Sequence, residues 1–171
     1  MVYSPTMSEP EPIEILRATV RPAWIDYNGH MNAGYYSLAF EEAVEAFLTR
    51  IGIGADHVAA GGGSNFTLES HICYLREVVG GDPLRFTVQV LDHDAKRTHL
   101  FFRMHQARRD YLAATSEQVG VYVDLATRRA TAMPAPARAA LAEVARAQRG
   151  LARPDRAGRP MGLGRRLEAA Q

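Results

Sequence analysis

Only one long stretch of this chain repeats its apolar residues at the spacing of an α-helix, and most of the sequence beyond it repeats at the spacing of a β-strand. From Tyr36 onward, Phe40, Ala43, Val44, Phe47, Leu48 and Ile51 fall on one helical face while Glu41, Glu42 and Glu45 take the other. A long amphipathic helix is therefore expected from about Ala33, closed by Gly52 and Gly54. Beyond Gly61-Gly62-Gly63 the period drops to two. Phe66, Leu68, Ser70, Ile72 and Tyr74 alternate with Thr67, Glu69, His71, Cys73 and Leu75, and alternation returns over residues 84–91, 99–105 and 112–123. Residues 14–21 supply one more strand ahead of the helix. A single apolar stripe and a single half-apolar sheet must cover each other, so the expected fold is α+β, a five-stranded antiparallel sheet wrapped around one long central helix. Breaks at Gly80-Gly81-Asp82-Pro83, at residues 92–96 and at residues 107–110 have hairpin composition, so the strands are expected to run as an antiparallel meander.

The 171 residues suit one domain with a real core, and the net charge of +1 singles out neither nucleic acid nor an acidic partner. The charge is unevenly spread: residues 138–171 carry eight Arg against Glu143, Asp155 and Glu168, hence +5, which leaves −4 on residues 1–137. Such a tail reads either as a solvated segment or as a surface for phosphate or a partner subunit. With Cys73 alone there is no internal disulfide framework, and no stretch has the length and apolarity of a signal or membrane-spanning segment, so a reducing cytoplasm is expected. Residues 1–12, with Pro5, Pro10 and Pro12, read as a disordered leader, with Met7 as a candidate start. From Pro134 a short Ala/Arg helix is expected over residues 139–149, followed by a Pro/Gly-broken tail.

The chemistry concentrates in Trp24-Ile25-Asp26-Tyr27-Asn28-Gly29-His30-Met31-Asn32, which places a carboxylate, two carboxamides and an imidazole at every second residue between strand and helix. Gly29 frees the turn, Asn32 is placed to cap the helix, and the unpaired N–H groups of a helix start attract developing negative charge. The competing reading is structural: Asp and Asn commonly cap and turn chains, and His30 would be a hydrogen-bonded structural histidine. Aromatic residues gather nearby, and Trp24, Tyr27, Tyr35 and Tyr36 offer π faces either to the core or to a quaternary ammonium group. Glu69 and His71 share one face of their strand and read equally as a solvent-facing pair or as groups that orient water or a cation. Glu41 and Glu42 read first as a solvated helix face. The six histidines lack metal-ligand spacing, and no nucleophile elbow or dinucleotide-binding glycine motif is present.

The helix-in-sheet pattern together with Asp26-x-Asn28-x-His30-x-Asn32, Tyr35-Tyr36 and Gly80-Gly81-Asp82 resembles the hotdog-fold thioesterases of the 4-hydroxybenzoyl-CoA thioesterase superfamily, over about residues 14–132. The Asp-x-Asn-x-His-x-Asn run is also similar to that of plant-type acyl-ACP thioesterases. Residues 20–31, 68–72, 94–100 and 156–163 look like the betainyl-CoA thioesterases associated with L-carnitine dehydrogenase and carnitine metabolism. On that resemblance, residues 13–134 form the hotdog thioesterase domain and residues 135–171 a C-terminal helix and basic tail.

The resemblance implies an acyl-CoA thioesterase acting on a short polar acyl-CoA, betainyl-CoA for this subgroup, with coenzyme A entering as part of the substrate and with neither metal nor further cofactor. It implies a homodimer or tetramer with the site at the subunit interface, and no nucleic acid or membrane partner. It places Asn28 where 4-hydroxybenzoyl-CoA thioesterases carry their catalytic Asp, and a carboxamide cannot be a carboxylate base. The implied roles are then Asp26 as base, directly or through His30, Asn28 as water-orienting group, and the Tyr35 backbone N–H as oxyanion donor. Trp24, Asn32, Tyr36, Glu69 and His71 are the implied substrate-binding residues. A thioesterase for aromatic or fatty acyl groups on CoA or acyl carrier protein, and a non-catalytic acyl-thioester binding subunit, remain the alternatives.

Overall fold

The computed structural model describes residues 10–162. Along the chain run β1 (Ile13–Thr19), a short 3-10 turn (Pro22–Trp24), α1 (Ala33–Arg50), α2 (Ala55–Ala59), β2 (Ser64–Tyr74), β3 (Pro83–His93), β4 (Arg97–Gln106), β5 (Tyr111–Asp124), the two-residue β6 (Arg129–Ala130) and α3 (Ala135–Ala147). The expected disordered leader falls largely outside the described residues, as does the end of the basic tail.

All strands pair antiparallel, in the order β1-β3-β4-β5-β2 with β6 beside β5. The sheet thus has six strands, five of them long, and it is not the expected meander. β2 lies against β5, with His71 opposite Glu117 and Ile72 opposite Ser116, so the chain crosses between β2 and β3 from one edge to the far side. Gly80-Gly81-Asp82 is therefore no hairpin but the end of that crossing. Gly81 has φ 83° and its N–H donates to the Val20 carbonyl, while Val20 N–H donates to the Asp82 carbonyl, each at 2.9 Å. The Asp82 carboxylate accepts from Val79 N–H at 3.0 Å and from the Gln106 amide at 2.9 Å. A segment with the composition of a turn is thus fastened at both ends by long-range bonds, which local composition does not encode.

The apolar stripe of α1, Tyr36, Ala39, Phe40, Ala43, Val44, Phe47 and Leu48, is buried against the curled sheet. Leu100, Phe102 and Met104 of β4 face it, as do Phe86, Val88 and Val90 of β3, which settles the face that alternation alone left open. Phe40 and Phe86 meet edge to face, 5.8 Å apart. Phe101, Glu117 and His71 occupy the opposite, outer face, because they alternate with core-facing neighbours in register with one another.

α3 begins four residues ahead of the expected start, since Pro136 fits the first turn, where its missing N–H has no helical partner to lose. It adds Ala137, Leu141 and Val144 to the same core. Pairing of β1 with β3 runs out at Val88, and there the buried Gln148 amide takes the place of a strand: Val90 N–H donates to its Oε1 and its Nε2 donates to the Val88 carbonyl, each at 2.8 Å. The segment after α3 is not free in solvent. It crosses the outer face, where the Ala152 carbonyl accepts from Gln89 at 3.1 Å and Gly158 N–H donates to Glu117 Oε2 at 2.7 Å. Replacing Gln148 by Ala leaves a buried donor and a buried acceptor unpaired, so stability should fall by about 2–4 kcal/mol in denaturant titration.

Candidate active site

Residues 24–32 do not form an extended strand with aligned side chains. Asp26 N–H donates to the His30 carbonyl at 3.1 Å and Gly29 N–H to the Asp26 carbonyl at 3.0 Å, closing a tight reversal that needs the φ of 80° found at Gly29. Ile25 and Met31 face each other as an isolated antiparallel bridge. Met31 N–H donates to the Val78 carbonyl and Asn32 N–H to the Trp24 carbonyl, each at 2.9 Å, so the β2–β3 crossing holds the turn against the start of α1.

Within this reversal the Asp26 carboxylate ties two places together. Its Oδ1 accepts from Asn28 N–H at 2.8 Å and its Oδ2 from the Asn32 amide at 3.2 Å. The Asn28 N–H, helped by the Asn32 amide and the nearby His30, holds the Asp26 carboxyl below its usual range although the group is open to solvent. Asn32 caps the helix as expected, its Oδ1 accepting from Gly34 N–H at 2.9 Å, so both ends of its amide are engaged. The side chain of Asn28 is exposed, and Tyr27 stands 97% exposed beside it.

Two expectations change here. The Tyr35 N–H, expected as a free oxyanion donor, donates to the Asn32 carbonyl at 3.0 Å, because the third amide of a helix closes readily onto its cap residue. Trp24 is 3% exposed and offers no open face: Tyr35 stacks on it at 5.8 Å, and the Arg21 guanidinium, itself bonded to Glu42 at 2.7 Å, lies 4.6 Å over its ring. A tryptophan already holding a cation cannot cage another on that face.

His30 and Tyr36 do converge. They share a cleft of about 290 Å³ with Met31, Ala33, Tyr74, Leu75, Arg76 and Glu77. His30 Nδ1 lies 3.3 Å from the Met31 carbonyl, a bond that requires the proton on Nδ1 and leaves Nε2 as an acceptor in the neutral ring. Burial raises the Tyr36 hydroxyl above its ordinary value. Tyr74 meets Tyr36 edge to face at 5.1 Å, and its hydroxyl donates to the Ala33 carbonyl at 3.4 Å. Residues 74–77 reach the cleft only because the chain crosses over the site turn, so no local sequence signal marks them.

Glu69 and His71 lie elsewhere. They face away from α1 into an outer-face cavity of about 470 Å³, with His99, Glu117 and residues 158–161. His99 Nε2 is 2.7 Å from Glu117 Oε1. The same alternation that makes them strand residues puts them across the sheet from the helix-side cleft. Glu41 lies on an exposed position of α1, as expected, while its carboxylate accepts from Gln118 of the sheet at 3.4 Å, and partial desolvation raises its carboxyl above the usual range. Among the described residues no group of three or more His, Cys, Asp or Glu is placed to hold a metal ion.

A long helix cradled by an antiparallel sheet in this strand order, with an Asp-Asn-His turn delivered to the helix start, defines a hotdog-type thioesterase fold. The Thioesterase-like superfamily matches residues 20–141, and the chain belongs to it. It is 42% identical over 148 residues to the L-carnitine dehydrogenase/betainyl-CoA thioesterase of Ruegeria pomeroyi, covering 86% of this chain but 30% of that protein. It is 35% identical over 144 residues to the betainyl-CoA thioesterase of Pseudomonas aeruginosa, covering 84% of this chain and 91% of that one. Among solved structures, protein SAV2348 of Staphylococcus aureus in complex with CoA superposes with TM-score 0.82 at 28% identity, covering 89% of this chain and 96% of that one. A putative thioesterase from Pseudomonas putida KT2440 superposes with TM-score 0.77 at 34% identity, covering 90% and 97%.

Because Asn32 both caps α1 and donates to Asp26, Asn32→Ala should lower stability by about 1 kcal/mol. It should also move the Asp26 carboxyl back up toward the ordinary ~3.9, read by carboxyl-carbon NMR titration.

Proposed function

We propose that this protein hydrolyses short polar acyl-CoA thioesters, with betainyl-CoA as substrate. The observation that carries the reading is the cleft at the start of α1, whose volume of about 290 Å³ is near the lower limit of ligand pockets at ~300–1,000 Å³. A short acyl group suits it. The relatives named betainyl-CoA thioesterase support the substrate, and the CoA complex of the Staphylococcus aureus structure supports CoA as carrier.

In this reading water attacks the thioester carbonyl, Asp26 takes its proton directly or through His30 Nε2, Asn28 orients the water, and collapse of the intermediate breaks the C–S bond to release the free acid and CoA. The Tyr35 N–H serves the oxyanion by sharing its proton between the Asn32 carbonyl and the thioester oxygen, a three-centre arrangement common at helix ends. No metal or further cofactor takes part. The exposed run Thr67-Leu68-Glu69-Ser70 leaves β2 an open edge, with Leu68 61% exposed, and pairing with a second copy would cover it and put the cleft near the interface. The single Cys73 fits a reducing cytoplasm.

One observation favours a second base. The Asp26 carboxylate is occupied by two donors and weakened as a base, whereas Glu41, which lines a separate cavity farther along α1, has its carboxyl raised by partial desolvation.

Thiol release should be fast from betainyl-CoA and slow from 4-hydroxybenzoyl-CoA and long-chain acyl-CoA. A folded protein silent on every one of them would instead be an acyl-thioester binding subunit. Asp26→Asn should lower kcat/KM about 100-fold or more if Asp26 is the base. The acid limb of kcat/KM then falls below the ordinary ~3.9 of an aspartate, since its carboxyl must ionise to act and its folded value is depressed. With Glu41 as base, Glu41→Gln carries the loss and the limb lies above the ordinary ~4.3 of a glutamate.

A further inference from the structure

We propose that the Tyr74 ring and the Glu77 carboxylate form the subsite for the quaternary ammonium head of a cationic acyl group. This rests on the acyl-CoA hydrolase reading above and says how the substrate's charge is recognised.

With Trp24 buried, stacked against Tyr35 and lying under the Arg21 guanidinium, the aromatic surface available to a cation is that of Tyr74, on the wall of the cleft formed by residues 74–77. Tyr74 is 53% exposed there, and its position is set at two points: by its edge-to-face contact with the buried Tyr36 at 5.1 Å and by its hydroxyl on the Ala33 carbonyl. A tyrosine held in place, partly open and next to the helix start presents a π surface without the entropic cost of ordering it first. Glu77 lines the same cleft, and among the described residues its carboxylate enters no ion pair and no side-chain hydrogen bond. The one permanent cation on this wall is Arg76, whose guanidinium lies 4.1 Å over the Tyr111 ring and is thereby drawn to that aromatic partner. His30 shares the cleft with its Nδ1 turned to the Met31 carbonyl.

A trimethylammonium group has no N–H to donate. It is recognised by π surface and by the field of a carboxylate rather than by hydrogen bonds, and Tyr74 and Glu77 supply those two things. An acyl group of the same shape without the charge gains little from either.

The test compares betainyl-CoA with its neutral isostere 3,3-dimethylbutanoyl-CoA, in which carbon replaces nitrogen, and reads the ratio of their kcat/KM values. The intact protein should favour the cationic substrate. Tyr74→Leu and Glu77→Gln should each lower that ratio about tenfold, and Tyr74→Phe, which keeps the π face, should retain it. Glu77 is exposed and unpaired, so Glu77→Gln remains informative if Tyr74→Leu does not fold. An intact protein without preference for the cation overturns the betainyl substrate itself. A preference that survives both variants leaves that substrate standing and overturns the Tyr74–Glu77 subsite.

Discussion

Burial of one helical stripe organises this molecule. Phe40, Phe47 and Ala43 of α1 have no measurable exposure, and that is reached only because the sheet curls around them from both sides. A sheet that must cover a helix along its whole length needs strands longer than the usual five or six residues, and β2, β3, β4 and β5 run from ten to fourteen. Closing the far side takes α3, which carries Ala137, Leu141 and Val144 into the same core and ends on the Gln148 amide that stands in for a missing strand. The helix start is then held rigidly at one end of the sheet, which is where a site needs its dipole and amides fixed.

The turn ahead of the helix shows how few groups serve both structure and chemistry. Asp26 builds the reversal through Asn28 N–H, steadies the cap through Asn32, and is proposed as base with the same carboxylate. Each donor that orders it also lowers its basicity, so stability and catalysis compete at one side chain. Glu41 has the opposite character, less tied and more basic because it is partly desolvated.

Much of this architecture is legible in the residues themselves. The helix from Ala33, all five long strands and the Asn32 cap are readable because helical and strand periods, glycine breaks and cap chemistry act within a few residues. The Asp26–Asn32 turn declares itself by density of functional groups. What misleads is also local: Gly80-Gly81-Asp82 has hairpin composition but ends a crossing, and Trp24 looks like a free aromatic until Arg21 is placed on it. Alternation groups Glu69 and His71 with each other correctly, but period two says which residues share a face and not which face meets the helix, and both turn away from α1 into the outer-face cavity.

The sequence alone therefore determined the elements, their order along the chain and the residues dense enough in chemistry to form a site, because short-range propensity and alternation are properties of neighbours. Only the tertiary structure decided that β2 pairs with β5 and that residues 74–77 arrive beside His30 and Tyr36. It alone decided that the chain after α3 lies across the outer face. These depend on which distant surfaces bury each other best, a competition among long-range contacts that no window of the sequence contains.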